Sequence, residues 1–303
     1  MYNIYYQYFD SNIKYDLVID NNNITLIKEP EKVNVIVIYN NLDKLPYKNL
    51  DAIPNLNKLN NLIELNCSYN GLLNLPNLDI FTNLEKIYCY NNNLVLLPNL
   101  DKLTKLKELN CSYNKLIKIP NLDNCLNLEN LICSYNNLSI LPKVNNCINL
   151  QKLYCSYNNL VFLPYLNNCI NLKEIYCSNN NLIKLPNLDK CINLEKIYSC
   201  DNKLQKLPNL NNCINLIELF ITNNNIKYIN NLESCTQLKE LYCNNNKYIK
   251  TLPHSITQCK NLNKYIKYNK YTYQNKISKI LNYNIKYYYY YQIINLYNKL
   301  YLQ

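Results

Sequence analysis

Leucine residues recur along this chain at a constant spacing of 22 residues. Each of them opens a segment with the pattern L-x-x-L-x-L-x-x-N-x-L, in which Cys usually fills the sixth position. Each segment then continues as Leu or Ile-Pro-x-Leu-x-x-Cys. Self-similarity at a fixed period of this length is typical of a solenoid of stacked repeats. The first positions of the nine repeats are Leu62, Leu84, Leu106, Leu128, Leu150, Leu172, Leu194, Leu216 and Leu238.

The first half of each repeat has the alternation of a short strand. Side chains alternate across a strand, so positions four and six face one way and positions three, five and seven face the other. In the repeat that starts at Leu150, we therefore expect Leu153 and Cys155 in the core, and Lys152 and Tyr154 outside. No single repeat can bury its apolar side alone, so the strands are expected to stack into one parallel sheet.

This pattern resembles the leucine-rich repeat family, and the resemblance extends from Leu62 to Cys259. The 22-residue length and the late apolar positions are similar to the subtype found in bacterial internalins and in a protein-phosphatase regulatory subunit. The resemblance implies an α/β-type repeat solenoid, a horseshoe or arc with a parallel concave β-sheet and an irregular or 3-10 convex side.

Three regions follow from where the pattern is regular. We predict an N-terminal cap with degenerate repeats over residues 1–61, nine regular repeats over 62–261, and a small helical C-terminal cap over 262–303. An insertion of eight residues before Leu62 is predicted to form a longer convex loop. The first degenerate repeat contains Leu17, Ile19, Asn22, Ile24 and Ile27, and the second contains Val35, Val37, Asn40, Leu42 and Leu45-Pro46.

Position nine of every repeat is Asn. The backbone leaves the strand at this point and loses water, and a short amide can satisfy its donors and acceptors. The resemblance implies a structural ladder in which each Asn bonds backbone groups of its loop and of the neighbouring repeat. We favour this ladder over a polar binding stripe. Its members are Asn70, Asn92, Asn114, Asn136, Asn158, Asn180, Asn202, Asn224 and Asn246.

The 15 cysteines follow the repeat and not a metal or disulfide pattern. Thirteen of them occupy two apolar columns, at positions six and twenty, and Cys259 has the second role after an insertion. The chain has no C-x-x-C pair, so tetrahedral zinc spacing is missing. We interpret these residues as small buried hydrophobes in a reducing compartment. Cys200 falls at the outward seventh position, and we predict that it is exposed.

Composition excludes several classes of protein. One Gly cannot form a phosphate-binding Gly-rich loop, and one His, His254, cannot form a catalytic pair of histidines. No catalytic residues, cofactor, metal or small-molecule substrate are predicted. The start of the chain has no signal-peptide pattern, and no apolar run approaches the ~20 residues that span a bilayer. We therefore expect an intracellular protein, cytoplasmic or in a host cytoplasm. Abundant Lys, Asn and Tyr without Arg indicate an A/T-rich genome, of a large DNA virus or a protist.

The outward positions of the strands are where a repeat protein selects partners. The third position largely alternates between Glu and Lys, so opposite charges on adjacent strands can pair. We interpret this column as a solvated edge whose charges cancel. The fifth and eighth positions are rich in aromatic residues, and exposed Tyr offers a large contact area at low entropy cost. We predict that these rings bind the partner. The set is Tyr88, Tyr154, Tyr176, Tyr198, Phe220 and Tyr242 at the fifth position, and Tyr113, Tyr135 and Tyr157 at the eighth.

The segment after Glu240 differs in charge. It contains ten Lys and no acid, so +10 of the net charge of +11 lies in the last 63 residues. Apolar residues with helical spacing predict one or two helices there. Lys with interleaved Tyr supports an alternative function, binding of nucleic acid or of an anionic membrane surface. The competing interpretation is a cap with only a structural role, in which the many Lys and Tyr residues reflect A/T-rich codons.

The leading functional prediction is a non-enzymatic scaffold that mediates protein–protein interaction through its Tyr-lined concave face. A repeat fold implies a protein partner without naming one, because fold does not fix function.

Overall fold

The computed structural model describes residues 2–8, 14–19, 33–40, 58–230, 232–247, 249, 256, 259–262 and 264–266. The chain divides into two compact units, Met1–Tyr265 and Ile266–Gln303. All described residues except Ile266 belong to the first unit. The predicted helices of the C-terminal cap, the insertion before Leu62 and the Lys- and Tyr-rich end of the chain lie outside the described residues.

Within the described residues, thirteen strands form one sheet, in the order β13-β12-β11-β10-β9-β8-β7-β6-β5-β4-β3-β1-β2. The first three strands are the longest, and each later strand has three residues. The strands are β1 Tyr2–Tyr8, β2 Lys14–Ile19, β3 Val33–Asn40, β4 Glu64–Asn66, β5 Lys86–Tyr88, β6 Glu108–Asn110, β7 Asn130–Ile132, β8 Lys152–Tyr154, β9 Glu174–Tyr176, β10 Lys196–Tyr198, β11 Glu218–Phe220, β12 Glu240–Tyr242 and β13 Lys264–Ile266.

From β3 to β12 every neighbouring pair is parallel, and equivalent positions of successive repeats lie opposite one another. Leu153 of β8, for example, pairs with Ile175 of β9. Each regular strand covers positions three to five of its repeat. Between strands, residues 58–230 and 232–247 form turns, bends and extended stretches without an α-helix. The predicted parallel solenoid with an irregular return side is confirmed.

The core is a set of columns that run from repeat to repeat. Leu128, Leu131, Leu138 and their equivalents are completely buried. Each fully buried Leu contributes roughly 1.5–3 kcal/mol relative to an exposed one. The 14 cysteines assigned to the two columns are all buried thiols, as that interpretation requires.

The N-terminal region departs from the predicted degenerate repeats. In β3, Val35 pairs with Glu64 and Ile36 with Leu65, and Ile36 is buried. The inward position is therefore Ile36, and our alignment of this repeat through Val35 and Val37 was wrong by one residue. A slip of one residue exchanges the two faces of a strand.

The earlier degenerate repeat is also wrong. Leu17 and Ile19 lie in β2, which pairs antiparallel with β1, and β1 in turn pairs antiparallel with β3. An antiparallel hairpin therefore covers the first parallel strand, where we had expected another repeat. This is a way to end a solenoid, since the first repeat has no predecessor to bury its edge.

The Asn side chains at position nine bridge adjacent repeats. Asn158 Nδ2 donates to the carbonyl of Cys155 at 3.1 Å and to that of Cys133, one repeat earlier, at 3.0 Å. Its Oδ1 accepts from the Leu138 amide at 3.0 Å. The same three contacts recur at Asn136, Asn180 and Asn224. One amide thus pairs backbone groups that the turn would leave unsatisfied.

Two further Asn columns were not foreseen. At position 22, Asn171 Nδ2 donates to the Ile148 carbonyl of the preceding repeat at 3.2 Å. At position 19, Asn146 Nδ2 donates to the Asp123 carbonyl at 3.2 Å. Both contacts repeat along the stack, with Asn193 and Asn168 as further examples. The abundance of Asn therefore has a structural use beyond codon composition.

Candidate interaction surface

The concave face of the sheet presents three neighbouring columns, at positions three, five and eight of the repeats. Positions three and five belong to the strands, and position eight follows in the turn. The fourth and sixth positions between them belong to the core, so the predicted strand register is correct for the regular repeats. The exposure of the three columns decides which of them a partner can touch.

The fifth-position rings stack on one another. The ring centroids of Tyr154 and Tyr176 are 4.3 Å apart with an interplanar angle of 3°, and those of Tyr176 and Tyr198 are 4.4 Å apart with 5°. Phe220 continues the stack at 4.3 Å from Tyr198, and Tyr242 follows with a tilt of 56°. Parallel strands lie ~4.8 Å apart, which matches the separation of offset-stacked aromatic rings, so rings in one column can stack.

This stacking buries the rings. Tyr154, Tyr176 and Tyr198 are only 3%, 4% and 1% exposed, and Tyr88, Phe220 and Tyr242 are buried as well. The expectation that the fifth-position column offers exposed contact area is therefore wrong. The rings point away from the core, but each neighbour covers the face of the next. The sheet carries a second apolar layer on its concave side.

The hydroxyl groups of this layer reach carboxylates of the next repeat. Tyr88 Oη donates to Glu108 Oε2 at 3.1 Å, and Tyr154 and Tyr198 donate to Glu174 and Glu218. Burial raises the pKa of the Tyr154 and Tyr198 phenols well above its ordinary value, and the nearby carboxylates raise it further. These phenols stay neutral and remain hydrogen-bond donors.

The third-position column carries both signs of charge. Lys86 Nζ lies 3.7 Å from Glu64 Oε2, and Lys196 Nζ lies 3.5 Å from Glu218 Oε1. Glu218 therefore combines an ion pair with a phenol hydrogen bond. Burial raises the pKa of Glu108, although the Tyr88 hydroxyl acts in the opposite direction. Side chains in this column are half-buried and form a polar border to the aromatic layer.

Among the described residues of the concave face, the eighth-position tyrosines are the aromatic residues that solvent reaches. Tyr113, Tyr135 and Tyr157 are half-buried and stack with centroids 4.2 Å apart. Burial raises the pKa of the Tyr135 and Tyr157 phenols to about 12. These three residues form the Tyr113–Tyr157 stack, and they are the part of the predicted partner-binding set that remains accessible.

The eighth-position residues have an unusual backbone conformation. All nine eighth-position residues have positive φ, with values of 53–62°. Asn and Asp tolerate this left-handed conformation better than other non-Gly residues, and Asn occupies it at Asn91, Asn179, Asn223 and Asn245. Tyr at this position carries a conformational cost of about 1–2 kcal/mol. The stacked tyrosines therefore occupy sites where Asn would suit the backbone better.

Cys200 is buried, so its predicted exposure was wrong. It belongs to a seventh-position column in which Ser156 and Ser178 are also buried. The Ser178 Oγ accepts from the Cys200 amide at 3.1 Å, and Ser156 Oγ accepts from the Ser178 amide at the same distance. The turn after each strand covers this position, which the alternation of a straight strand does not anticipate.

Among the described residues, no group of three His, Cys, Asp or Glu side chains is arranged to hold a metal ion. In that part of the chain, no helix has the length and apolarity needed to cross a membrane.

The stacked parallel strands, the Asn bridges and the 22-residue period define a repeat solenoid of the leucine-rich type. A family model described as leucine-rich repeats (two copies) matches residues 214–263. Together with the fold, this match shows that the chain is similar to leucine-rich repeat proteins. No curated protein matches the sequence significantly.

Solved structures with the same fold come from several sources. A leucine-rich repeat protein of Leptospira interrogans is 29% identical over 68% of this chain and 55% of its own, with a TM-score of 0.61. YopM of Yersinia enterocolitica is 28% identical over 64% of this chain and 40% of its own, with a TM-score of 0.54. The PEPR1 chain in a complex with AtPEP1 is 27% identical over 69% of this chain and 32% of its own, with a TM-score of 0.59. This chain thus spans about half, or less, of the structures that it matches.

Proposed function

We propose that this protein is a non-enzymatic scaffold that binds a protein partner through its concave face. Proteins with this repeat fold are in general interaction scaffolds, and one similar structure is a complex of PEPR1 with AtPEP1. We further propose that the protein acts inside a cell, in keeping with its free cysteines. Its A/T-rich coding composition points to a virus or a protist as its source.

The observation that carries this proposal is the Tyr113–Tyr157 stack. The three rings are partly open to solvent, stack on one another and occupy a strained backbone conformation that Asn fills in other repeats. Aromatic anchors of this kind contribute most of the energy of many protein interfaces. The fifth-position rings are buried in their own stack, so they stabilise the concave side without making the contact.

The test uses a substitution that spares the fold. In Tyr135→Asn and Tyr157→Asn, the ring is lost but the left-handed backbone gains a better-suited residue. We expect capture of a protein partner from expressing cells to weaken at least tenfold, because truncating an aromatic anchor costs about 2 kcal/mol or more. The matched control is Tyr165→Ala, which removes a ring that is 72% exposed outside the concave face. Normal capture by both Asn variants, with loss in the control, would refute the assignment.

The basic C-terminal segment supports a second candidate function. The ten lysines after Glu240 favour binding of nucleic acid or of an anionic membrane surface through that segment. Changing Lys276 and Lys279 to Gln should then abolish binding, and binding should weaken steeply with salt. Under the leading proposal these two substitutions have little effect on partner capture.

A further inference from the structure

A second surface lies on the side of the solenoid that follows the strands. We define the post-strand flank as the described residues at positions ten to sixteen of the first eight repeats, which are residues 71–77, 93–99, 115–121, 137–143, 159–165, 181–187, 203–209 and 225–230. Backbone bonds join these segments in order. The Ile117 amide donates to the Val95 carbonyl at 3.2 Å, and the Ile183 amide to the Val161 carbonyl at 3.3 Å. At ~4.8 Å per repeat, the flank is about 34 Å long.

The charges on this flank are all of one sign. Its eight segments contain seven lysines and neither Asp nor Glu. The lysines are Lys115, Lys118, Lys143, Lys184, Lys203, Lys206 and Lys227, and all of them are exposed. On the opposite side, positions seventeen to twenty-two carry Asp79, Asp101, Asp123, Asp189 and Glu233 against Lys102, Lys105 and Lys190. A codon bias toward Lys would act on both sides alike, so it does not explain the segregation.

Large apolar side chains stand between the lysines. Ile140 is 67% exposed, Phe162 is 52% exposed, and Val95, Leu96 and Ile117 are exposed as well. Lys184 Nζ lies 5.9 Å from the centroid of the Phe162 ring. The opposite side also has exposed apolar residues, such as Leu126, Ile148 and Ile170. The flank differs because its apolar residues are combined with positive charge alone, and exposed apolar surface of this kind is typical of an interaction site. Aliphatic side chains do not stack on bases, so a nucleic acid would leave most of this apolar surface unused.

We propose that the post-strand flank binds the surface of an anionic lipid bilayer. An interfacial surface of this type places Leu, Ile and Phe at the boundary of the acyl chains while Lys pairs with acidic headgroups. The flank offers both chemistries over a length that suits an extended partner better than a small ligand. It is separate from the concave face, so a protein partner and a membrane can be bound together.

The experiment uses the full chain and a local optical probe. The sequence contains no Trp, so Phe162→Trp gives a single reporter on the flank. Ile192→Trp is the matched control, because Ile192 is also 52% exposed but lies on the opposite, mixed-charge side. Vesicles of phosphatidylcholine with about a third phosphatidylserine should shift the Phe162→Trp emission to the blue and leave that of Ile192→Trp unchanged. Vesicles of phosphatidylcholine alone should shift neither.

Charge variants give an independent readout by vesicle flotation. Lys184→Glu with Lys206→Glu should weaken binding to the anionic vesicles at least tenfold, since each Lys near such a surface contributes about 1 kcal/mol. Lys102→Glu with Lys190→Glu makes the same change in charge on the opposite side and should alter binding less than threefold. Lys276→Gln with Lys279→Gln should leave the emission shift intact.

Three outcomes would overturn the proposal. One is no binding of the wild-type chain to anionic vesicles at physiological salt. Another is binding that the flank variants leave unchanged, which would assign it to another part of the chain. The third is binding of the flank to duplex DNA or to poly-glutamate in preference to vesicles, which would make the partner a soluble polyanion.

Discussion

Tyr198 and Phe220 lie face to face across adjacent strands, with ring centroids 4.3 Å apart and an interplanar angle of 4°. Neither ring is more than 1% exposed, although both point away from the leucine core. The concave side of this solenoid is therefore stabilised by its own aromatic layer. Because these rings are buried, we expect a mutation there to lower the free energy of unfolding and not to remove a direct contact with a partner.

Tyr198→Ala should lower the free energy of unfolding by about 3–5 kcal/mol, as removal of a large buried aromatic side chain does elsewhere. Tyr198→Phe keeps the stack and loses only the hydroxyl that donates to the Glu218 carboxylate, so it should cost about 1.5–3 kcal/mol. Urea denaturation followed by far-UV circular dichroism measures both. Tyr165→Ala, at a highly exposed ring, serves as the control and should be nearly neutral. An equally small effect of Tyr198→Ala would show that the stack contributes little.

Asn136→Ala tests the position-nine ladder. The Asn136 amide donates to the Cys111 and Cys133 carbonyls and accepts from the Leu116 amide. Its loss should cost on the order of 1–3 kcal/mol because these backbone groups stay buried without partners. Asn137→Ala, one residue later at an exposed position, should be nearly neutral. Equal destabilisation by the two substitutions would contradict the role of the ladder.

The period and the alternation of the sequence were sufficient to predict the parallel strands, the core columns and the two cysteine columns. They were sufficient because each repeat states the same pattern and a slip of one residue would expose every leucine. At Val35 there is only one degenerate copy of the pattern, and the prediction failed there by one residue.

Exposure on the concave side was harder to predict. Alternation determines the face on which Tyr176 lies, but exposure also depends on the rings of Tyr154 and Tyr198 one repeat away. Cys200 was misjudged for a related reason, because the turn after the strand covers its position. The post-strand flank was missed because its charge pattern is visible only when segments 22 residues apart are placed side by side.

Thiol reactivity checks the burial of the cysteines. Burial raises the pKa of the Cys67 and Cys111 thiols to about 12, and it also raises the pKa of Cys155. The thiolate is the reactive form, so native protein at pH 8 should react slowly with a thiol reagent. All 15 thiols should react after denaturation under reducing preparation. Cys200 should react no faster than Cys155, and rapid labelling of Cys200 alone would contradict its buried position.

Alkaline pH should destabilise the protein through the stacked phenols. Burial raises the pKa of Tyr135 and Tyr157 to about 12, and it raises the pKa of Tyr176 still further. An unfolded Tyr ionises near pH 10. Below that pH the phenols are neutral in both states and their contribution to stability is fully present. Between about pH 10 and 12 the unfolded chain releases protons that the folded chain retains, so the free energy of unfolding must fall.

Tyr176→Phe isolates this effect, because Phe keeps the stack, as Phe220 does naturally in the same column, and cannot ionise. Urea midpoints measured from pH 8 to pH 11 should decline for both proteins, with a shallower slope for Tyr176→Phe. Absorbance at 295 nm should show that buried phenols such as those of Tyr154 and Tyr198 ionise together with unfolding. Identical slopes for the two proteins would mean that the Tyr176 hydroxyl titrates as freely in the folded state as in the unfolded one, and that the stack does not exclude water.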